Sequence, residues 1–162
     1  MRPVIVLQSF ILLVLANGAP LIAKKFLGER YSYPLDGNVS FVDSRPVFGR
    51  SKTIRGIVLA GVATTAAAPV IGLHWEIGLL VAAFAMAGDL FSSFCKRRLR
   101  LPTSSRASRL DQVPEALSPL PACRKLLALT GADIAVCVVM FAAGEIALSR
   151  LLYAFRLRDR PY

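Results

Sequence analysis

The sequence predicts an all-α fold, a polytopic transmembrane bundle of about five membrane helices with two basic cytoplasmic loops. Three observations carry that expectation. Hydrophobic residues make up 55% of the 162 and mean hydropathy is +0.55, above the roughly 45–50% apolar content of ordinary soluble domains. Several apolar runs approach or reach the length of about 20 residues that crosses a bilayer. Lys and Arg gather between those runs instead of within them. The length suits one domain spanning 1–162.

Residues 3–23 form the first expected helix, built on Ile11-Leu12-Leu13-Val14-Leu15. Only Arg2 precedes it, whereas a secretory signal needs a stronger basic start and a clear small-residue cleavage site. An uncleaved membrane helix is expected, disturbed near its end by Gly18 and Pro20. Residues 24–55 hold seven Lys/Arg and three acids. Turn chemistry at Pro34-Leu35-Asp36-Gly37-Asn38 and Asp43-Ser44-Arg45-Pro46, with alternation at Val39-Ser40-Phe41-Val42, permits a small hairpin in a structured loop.

A second helix is expected over 56–73, rich in Ala, Gly and Thr, which let helices approach closely in lipid. The connector His74-Trp75-Glu76 lacks Lys and Arg and offers Trp75 as an interfacial anchor. The third helix, 77–95, carries Asp89 in its last turns and leads into a second basic segment, 96–109, with six Lys/Arg. Residues 111–125 contain Pro114, Pro119 and Pro121 and read as a short, broken crossing. Residues 126–148 are long enough to span, despite Asp133 and Glu145. With the broken crossing counted, both basic loops and the Arg-rich tail share one side of a multi-pass protein, the cytoplasmic side of the cell (inner) membrane.

Net charge +10 is compatible with nucleic acid, but the charges lie where topology places them, so no nucleic-acid partner is expected. Cys95, Cys123 and Cys137 form no CxxC pair, and His74 is the sole histidine. A His/Cys metal centre is therefore not expected, and no Ser-His-Asp or Cys-His arrangement can assemble.

Two segments remain that carry chemistry. In the first, Lys52 and Arg55 stand three apart and share a face if the second helix starts there. Ser51 or Thr53 is a candidate cap, leaving helix N-terminal amides for an anion. Phosphate binding competes there with plain topogenic charge and snorkelling. In the second, Asp89 lies within an apolar helix with Ser93 and Lys96 on its own face. It either pairs with Lys96 or binds magnesium, which needs only one or two carboxylates plus substrate phosphates. Asp111 is a second candidate ligand, with Glu115 one turn along. Carboxylates, magnesium and several cations together suit phosphoryl or nucleotidyl transfer. Asn17 either meets a ligand or hydrogen-bonds between helices, and Asp36 and Asp43 fit turn roles.

Pro34-Leu35-Asp36-Gly37 followed by the run from Arg45-Pro46-Val47-Phe48 to Arg55-Gly56 resembles the first signature of the CDP-archaeol synthase family. Gly88-Asp89-Leu90-Phe91-Ser92-Ser93-Phe94-Cys95-Lys96-Arg97-Arg98 resembles its second, and Leu110-Asp111-Gln112 and the tail from Arg156 to Tyr162 fit its later segments. The chain departs from archaeal members at Pro114-Glu115, a version similar to bacterial ones. The resemblance implies a five-helix membrane cytidylyltransferase, related to phosphatidate cytidylyltransferases, that uses CTP and Mg2+ to convert a phosphorylated diether or diacyl glycerolipid into its CDP form. Pyrophosphate is released. Carried over, Lys52, Arg55, Lys96, Arg97 and Arg98 hold phosphates, with Ser51, Thr53 and Ser93 beside them. Asp89 and Asp111 hold the metal, and Asn17 and Asp36 shape the pocket. The partners implied are CTP, the phosphorylated glycerolipid and membrane lipids, and a homodimer is compatible with them. The competing expectation is a non-catalytic membrane protein that binds anionic headgroups through its basic loops. A transporter reading finds no internal repeat to support it.

Overall fold

Helix lengths follow the apolar runs, adjusted at each end by local capping. A computed structural model describes residues 2–100 and 117–154; Asp111, Glu115 and the basic tail from Arg156 lie outside the described residues. Five helices occur among those described: α1 (Pro3–Leu27), α2 (Ile54–Val70), α3 (Trp75–Arg98), the single-turn α4 (Pro119–Ala122) and α5 (Gly131–Ala154). The described residues contain no strand, only isolated bridges pairing Pro34 with Thr53 and Ser40 with Pro46.

The 25 residues of α1 span about 37 Å, enough to cross a hydrocarbon core. The helix continues through Pro20 to Leu27 instead of breaking near Gly18; membrane helices tolerate an internal proline when neighbours cover the freed backbone. Gly56 lets α2 pack close to the Pro20 ring, where an added Cβ would meet Pro20 Cβ at 3.2 Å. Helix α2 begins at Ile54 because the Thr53 hydroxyl accepts from the Gly56 amide at 3.2 Å, an N-cap worth about 1 kcal/mol. Helix α3 extends past Cys95 because Lys96, Arg97 and Arg98 suit the negative end of the helix dipole. Helix α5 starts five residues later than the hydropathy alone suggests. Thr130 and Asp133 cap one another there: the Asp133 amide donates to Thr130 Oγ1 at 3.2 Å, and Thr130 N donates to Asp133 Oδ2 at 3.0 Å.

Contacts between helices set their directions. Gln8 donates to the Ile71 carbonyl at 2.6 Å while Gly56 meets Pro20, so α2 runs antiparallel to α1. Gly78 lies against Thr64 and Ala68, so α3 runs antiparallel to α2. The Arg2 amide donates to Asp133 Oδ1 at 3.1 Å, Cys137 Sγ donates to the Val6 carbonyl at 3.4 Å, and Gly144 faces Phe10. Helix α5 therefore runs in the same sense as α1 and α3. The chain leaves α3 at one end of the bundle and enters α5 at the other. The broken crossing expected over 111–125 lies partly outside the described residues. What is described there is α4 and the turns to Leu129, with Leu120, Cys123, Leu127 and Leu129 buried in the core beside Val6, Ile77 and Val81.

Around this apolar core the outer surface is also apolar. Val4, Leu7, Leu21, Ile22, Val58, Val62, Phe84, Phe91 and Val139 are exposed on the helices, while Thr64, Ser92, Ser93, Lys96, Arg97 and Asp133 are buried. An apolar exterior around a partly polar interior is what a bilayer selects.

Candidate active site

The site grows from the loop over residues 28–53, which folds back on the C-terminal half of α3. Its frame is a set of backbone bonds: Leu35 N to the Lys52 carbonyl at 2.8 Å, Ile54 N to the Tyr33 carbonyl at 3.1 Å, and Phe41 N to the Arg45 carbonyl at 2.7 Å. The last of these, with the Ser40–Pro46 bridge, makes the small hairpin expected from the alternation at 39–42.

Asp36 ties the two halves of the loop together. Its Oδ2 accepts from the Phe48 amide at 3.0 Å and the Gly49 amide at 2.9 Å, and its Oδ1 accepts from the Asn38 amide at 3.2 Å. Burial pushes its carboxyl pKa up, but these amides outweigh burial and hold it below the ordinary value. Because the folded-state pKa is depressed, the restraint is present above the unfolded carboxylate pKa and is lost as pH falls through the lowered value. Asp36→Ala is expected to loosen the loop by about 1 kcal/mol, read as about five-fold faster limited proteolysis within 28–53 at neutral pH. Unchanged cleavage would show that the amides need no carboxylate.

The loop delivers Lys52 to α3. Its Nζ donates to both carboxylate oxygens of Asp89, 37 residues away, and both side chains are about four-fifths buried. Lys52 precedes the N-cap of α2, so it does not share a helical face with Arg55, and the two diverge. Arg55 turns to the end of α1, where Nη1 and Nη2 each donate to the Gly28 carbonyl at 3.1 Å and Nη1 also donates to the Arg30 carbonyl. Lys96, Arg97, Ser92 and Ser93 are buried within two turns of Asp89 on α3, and Ser92 donates to the Asp89 carbonyl at 3.0 Å. Ser51 is exposed in the turn before Lys52, and Thr53 is committed to capping α2. Asn17 sits one helix away and donates to the Leu13 carbonyl at 3.0 Å. Lys52, Asp89, Lys96 and Arg97 thus gather on one end of α3.

A family model for CarS-like CDP-archaeol synthase matches residues 66–162. The chain is 30% identical over 152 residues to the CDP-archaeol synthase of Pyrobaculum islandicum, covering 91% of both chains. It is 35% identical over 157 residues to that of Hyperthermus butylicus, covering 90% of this chain and 87% of the relative. The chain belongs to the CDP-archaeol synthase family. A solved structure of an intramembrane enzyme for archaeal membrane lipids biosynthesis superposes with TM-score 0.72 at 26% identity, covering 85% of this chain and 90% of that one. The CDP-archaeol synthases are CTP-dependent cytidylyltransferases of membrane lipid biosynthesis, so this member is a membrane enzyme of the nucleotidyltransferase kind. That membership displaces the reading as a non-catalytic headgroup binder.

For a CDP-archaeol synthase family member, the donor set around Asp89 has a clear character. Among the described residues no group of three or more His, Cys, Asp or Glu gathers, so they form no all-protein metal cage. Asp89, about four-fifths buried, gives both oxygens to Lys52, so a hard divalent ion held there would have to displace Lys52 and take most of its oxygens from substrate phosphates. Arg98, expected on phosphate, instead donates to Asp43 and the Pro46 carbonyl, in a grouping the sequence reading did not foresee. Arg45, Phe41 and Phe94 surround Arg98, whose guanidinium lies 4.8 Å from the Phe41 ring centroid and 5.0 Å from that of Phe94. Aromatics interleaved with basic residues in both loops were the signal available for it.

Proposed function

We propose that this enzyme transfers CMP from CTP to the phosphate of a phosphorylated glycerolipid, releasing pyrophosphate in a magnesium-dependent reaction. The observation that supports this most is the ion pair of Lys52 with Asp89, which joins the first basic segment to the second beside buried Lys96 and Arg97. A lipid-phosphate oxygen attacks the α-phosphorus of CTP; the new P–O bond forms as the bond to the β-phosphate breaks, and the electron pair leaves with pyrophosphate. The attacking phosphate is already anionic at neutral pH, so no side chain need act as a base. Lys52, Lys96 and Arg97 offset the crowded negative charge and orient the triphosphate. Asp89 and Asp111 would hold magnesium, which would supply positive charge against the phosphates.

The remaining residues support that centre. Ser51 and Ser93 offer hydroxyls to the nucleotide, Thr53 holds the start of α2, and Asp36 shapes the loop. Arg55 and Arg98 hold loop backbone in place, and Asn17 lines the neighbouring helix. The reaction takes place at the cytoplasmic face of the cell (inner) membrane in a multi-pass topology, a reading supported by the loop over 28–53 and Lys96–Arg98 lying at the same end of the bundle. A homodimer is compatible with this reading, and the mass of the purified particle would test it.

The test is incorporation of label from α-phosphorus-labelled CTP into lipid by the purified full chain, with magnesium or with EDTA. Phosphatidic acid and its diether analogue are offered separately. Labelling that requires magnesium is expected, and the preferred acceptor names the lipid class. Folded protein that binds CTP yet labels neither lipid would overturn the acceptor; labelling undiminished by EDTA would overturn the metal.

A further inference from the structure

The hairpin over residues 39–47 is fastened to α3 by a reciprocal exchange between two arginines. Arg45 reaches from the hairpin to the last carbonyls of α3: its Nη1 donates to the Arg97 oxygen at 3.3 Å and to the Arg98 oxygen at 3.5 Å. Those carbonyls end the helix, the Arg97 oxygen also accepting from the Arg100 amide at 3.3 Å, and carry the negative end of its dipole, so a guanidinium is well matched to them. Arg98 reaches back, donating from Nη1 to Asp43 and from Nη2 to the Pro46 carbonyl at 2.9 Å. Asp43 serves both arginines, with Oδ2 4.0 Å from Arg45 Nε and Oδ1 accepting from the Arg45 amide at 3.2 Å. The Phe41 and Phe94 rings close the contact edge to face at 5.6 Å, beneath the Arg98 guanidinium.

This clasp lies in the same loop as Lys52 and on the same helix as Asp89. From the hairpin, chain continuity runs through Phe48 and Gly49, whose amides Asp36 holds, to Lys52, whose amide donates to the Gly49 carbonyl at 3.1 Å. We propose that Arg45 and Asp43 are positioning residues that hold the loop on α3 so that Lys52 stays against Asp89 and meets the nucleotide already in place. The proposal rests on the reading of Lys52 as a phosphate-binding group. Without the clasp the loop samples positions away from α3, and apparent affinity for CTP falls with the fraction of competent protein.

The experiment is a double-mutant cycle on CTP binding by the purified full chain, using Arg45→Ala, Lys52→Ala and the pair. Arg45→Ala is expected to weaken CTP binding about ten-fold, and Arg45→Lys, which keeps one charged donor, to restore most of it. In the Lys52→Ala background, Arg45→Ala should change binding less than two-fold, because the clasp acts through Lys52. Independent effects that multiply would overturn the proposal, as would unchanged binding by Arg45→Ala. Lys52→Ala with undiminished CTP affinity would instead overturn the underlying reading of the site. Should Arg45→Ala fail to fold, Asp43→Asn, which keeps side-chain shape and removes only the charge shared by the two arginines, replaces it in the same cycle.

Discussion

Asp89→Asn is expected to lower lipid cytidylylation by at least about 10³-fold while leaving membrane insertion intact. The substitution keeps the shape of the side chain, so α3 has no steric reason to move. It removes the charge that faces Lys52 and one hard oxygen donor for the metal. Lys52 then loses its counter-ion in a position about four-fifths buried, at a cost of about 1–3 kcal/mol to the folded loop. That cost alone would leave most molecules folded, so a large loss of turnover reports on chemistry, not on assembly. Measuring turnover beside detergent-resistant, monodisperse yield separates the two. A fully active Asp89→Asn enzyme would sink the assignment of the reaction to this end of α3.

Gly78→Ala is expected to have the largest effect on stability. A methyl group at Gly78 would sit 2.3 Å from the Thr64 carbonyl oxygen, 2.8 Å from its carbon and 2.9 Å from Ala68 Cβ. Two of those atoms are backbone, so no rotamer change relieves the overlap, and α2 and α3 must separate. Overpacking of this kind costs about 1–3 kcal/mol or more, and in lipid close packing is itself a main source of helix association. Separation would also shift Asp89 on α3 relative to the loop that feeds α2, so activity should fall together with the thermal-inactivation midpoint. Gly61→Ala is the control, since nothing lies within 4 Å of a Cβ added there; it should be neutral or slightly stabilising. Equal midpoints for the two variants would show that α2 and α3 do not pack through Gly78.

Much of the architecture was legible because a bilayer makes strong, local demands on sequence. The apolar runs located α1, α2, α3 and α5 to within a few residues, and the small residues of α2 announced close packing. The count of Lys and Arg in the loops favoured five membrane elements over four, and among the described helices α1, α3 and α5 run in one sense. Errors in helix ends have local causes that hydropathy does not register. Thr130 and Asp133 delay α5, and Thr53 places Lys52 outside α2.

The grouping of the candidate site was only half legible. Asp89 stood out as a carboxylate in an apolar helix, and Lys52 as a cation beside Gly, Ser and Thr, because both violate the surrounding composition. Nothing in the one-dimensional pattern favoured Lys52 over Lys96, which is only seven residues from Asp89, as the partner of that carboxylate. The spacing of Lys52 and Arg55 suggested a shared task, yet one meets Asp89 and the other the carbonyls of Gly28 and Arg30. Hydropathy and charge by themselves determined that this chain is a helical membrane protein with its basic segments at one end, since each residue meets lipid or water largely on its own account. Which cation meets which carboxylate was decided by the tertiary structure alone, because that depends on a loop path set by the Asp36 amide bonds and the Arg45–Arg98 clasp, contacts between residues far apart in the chain.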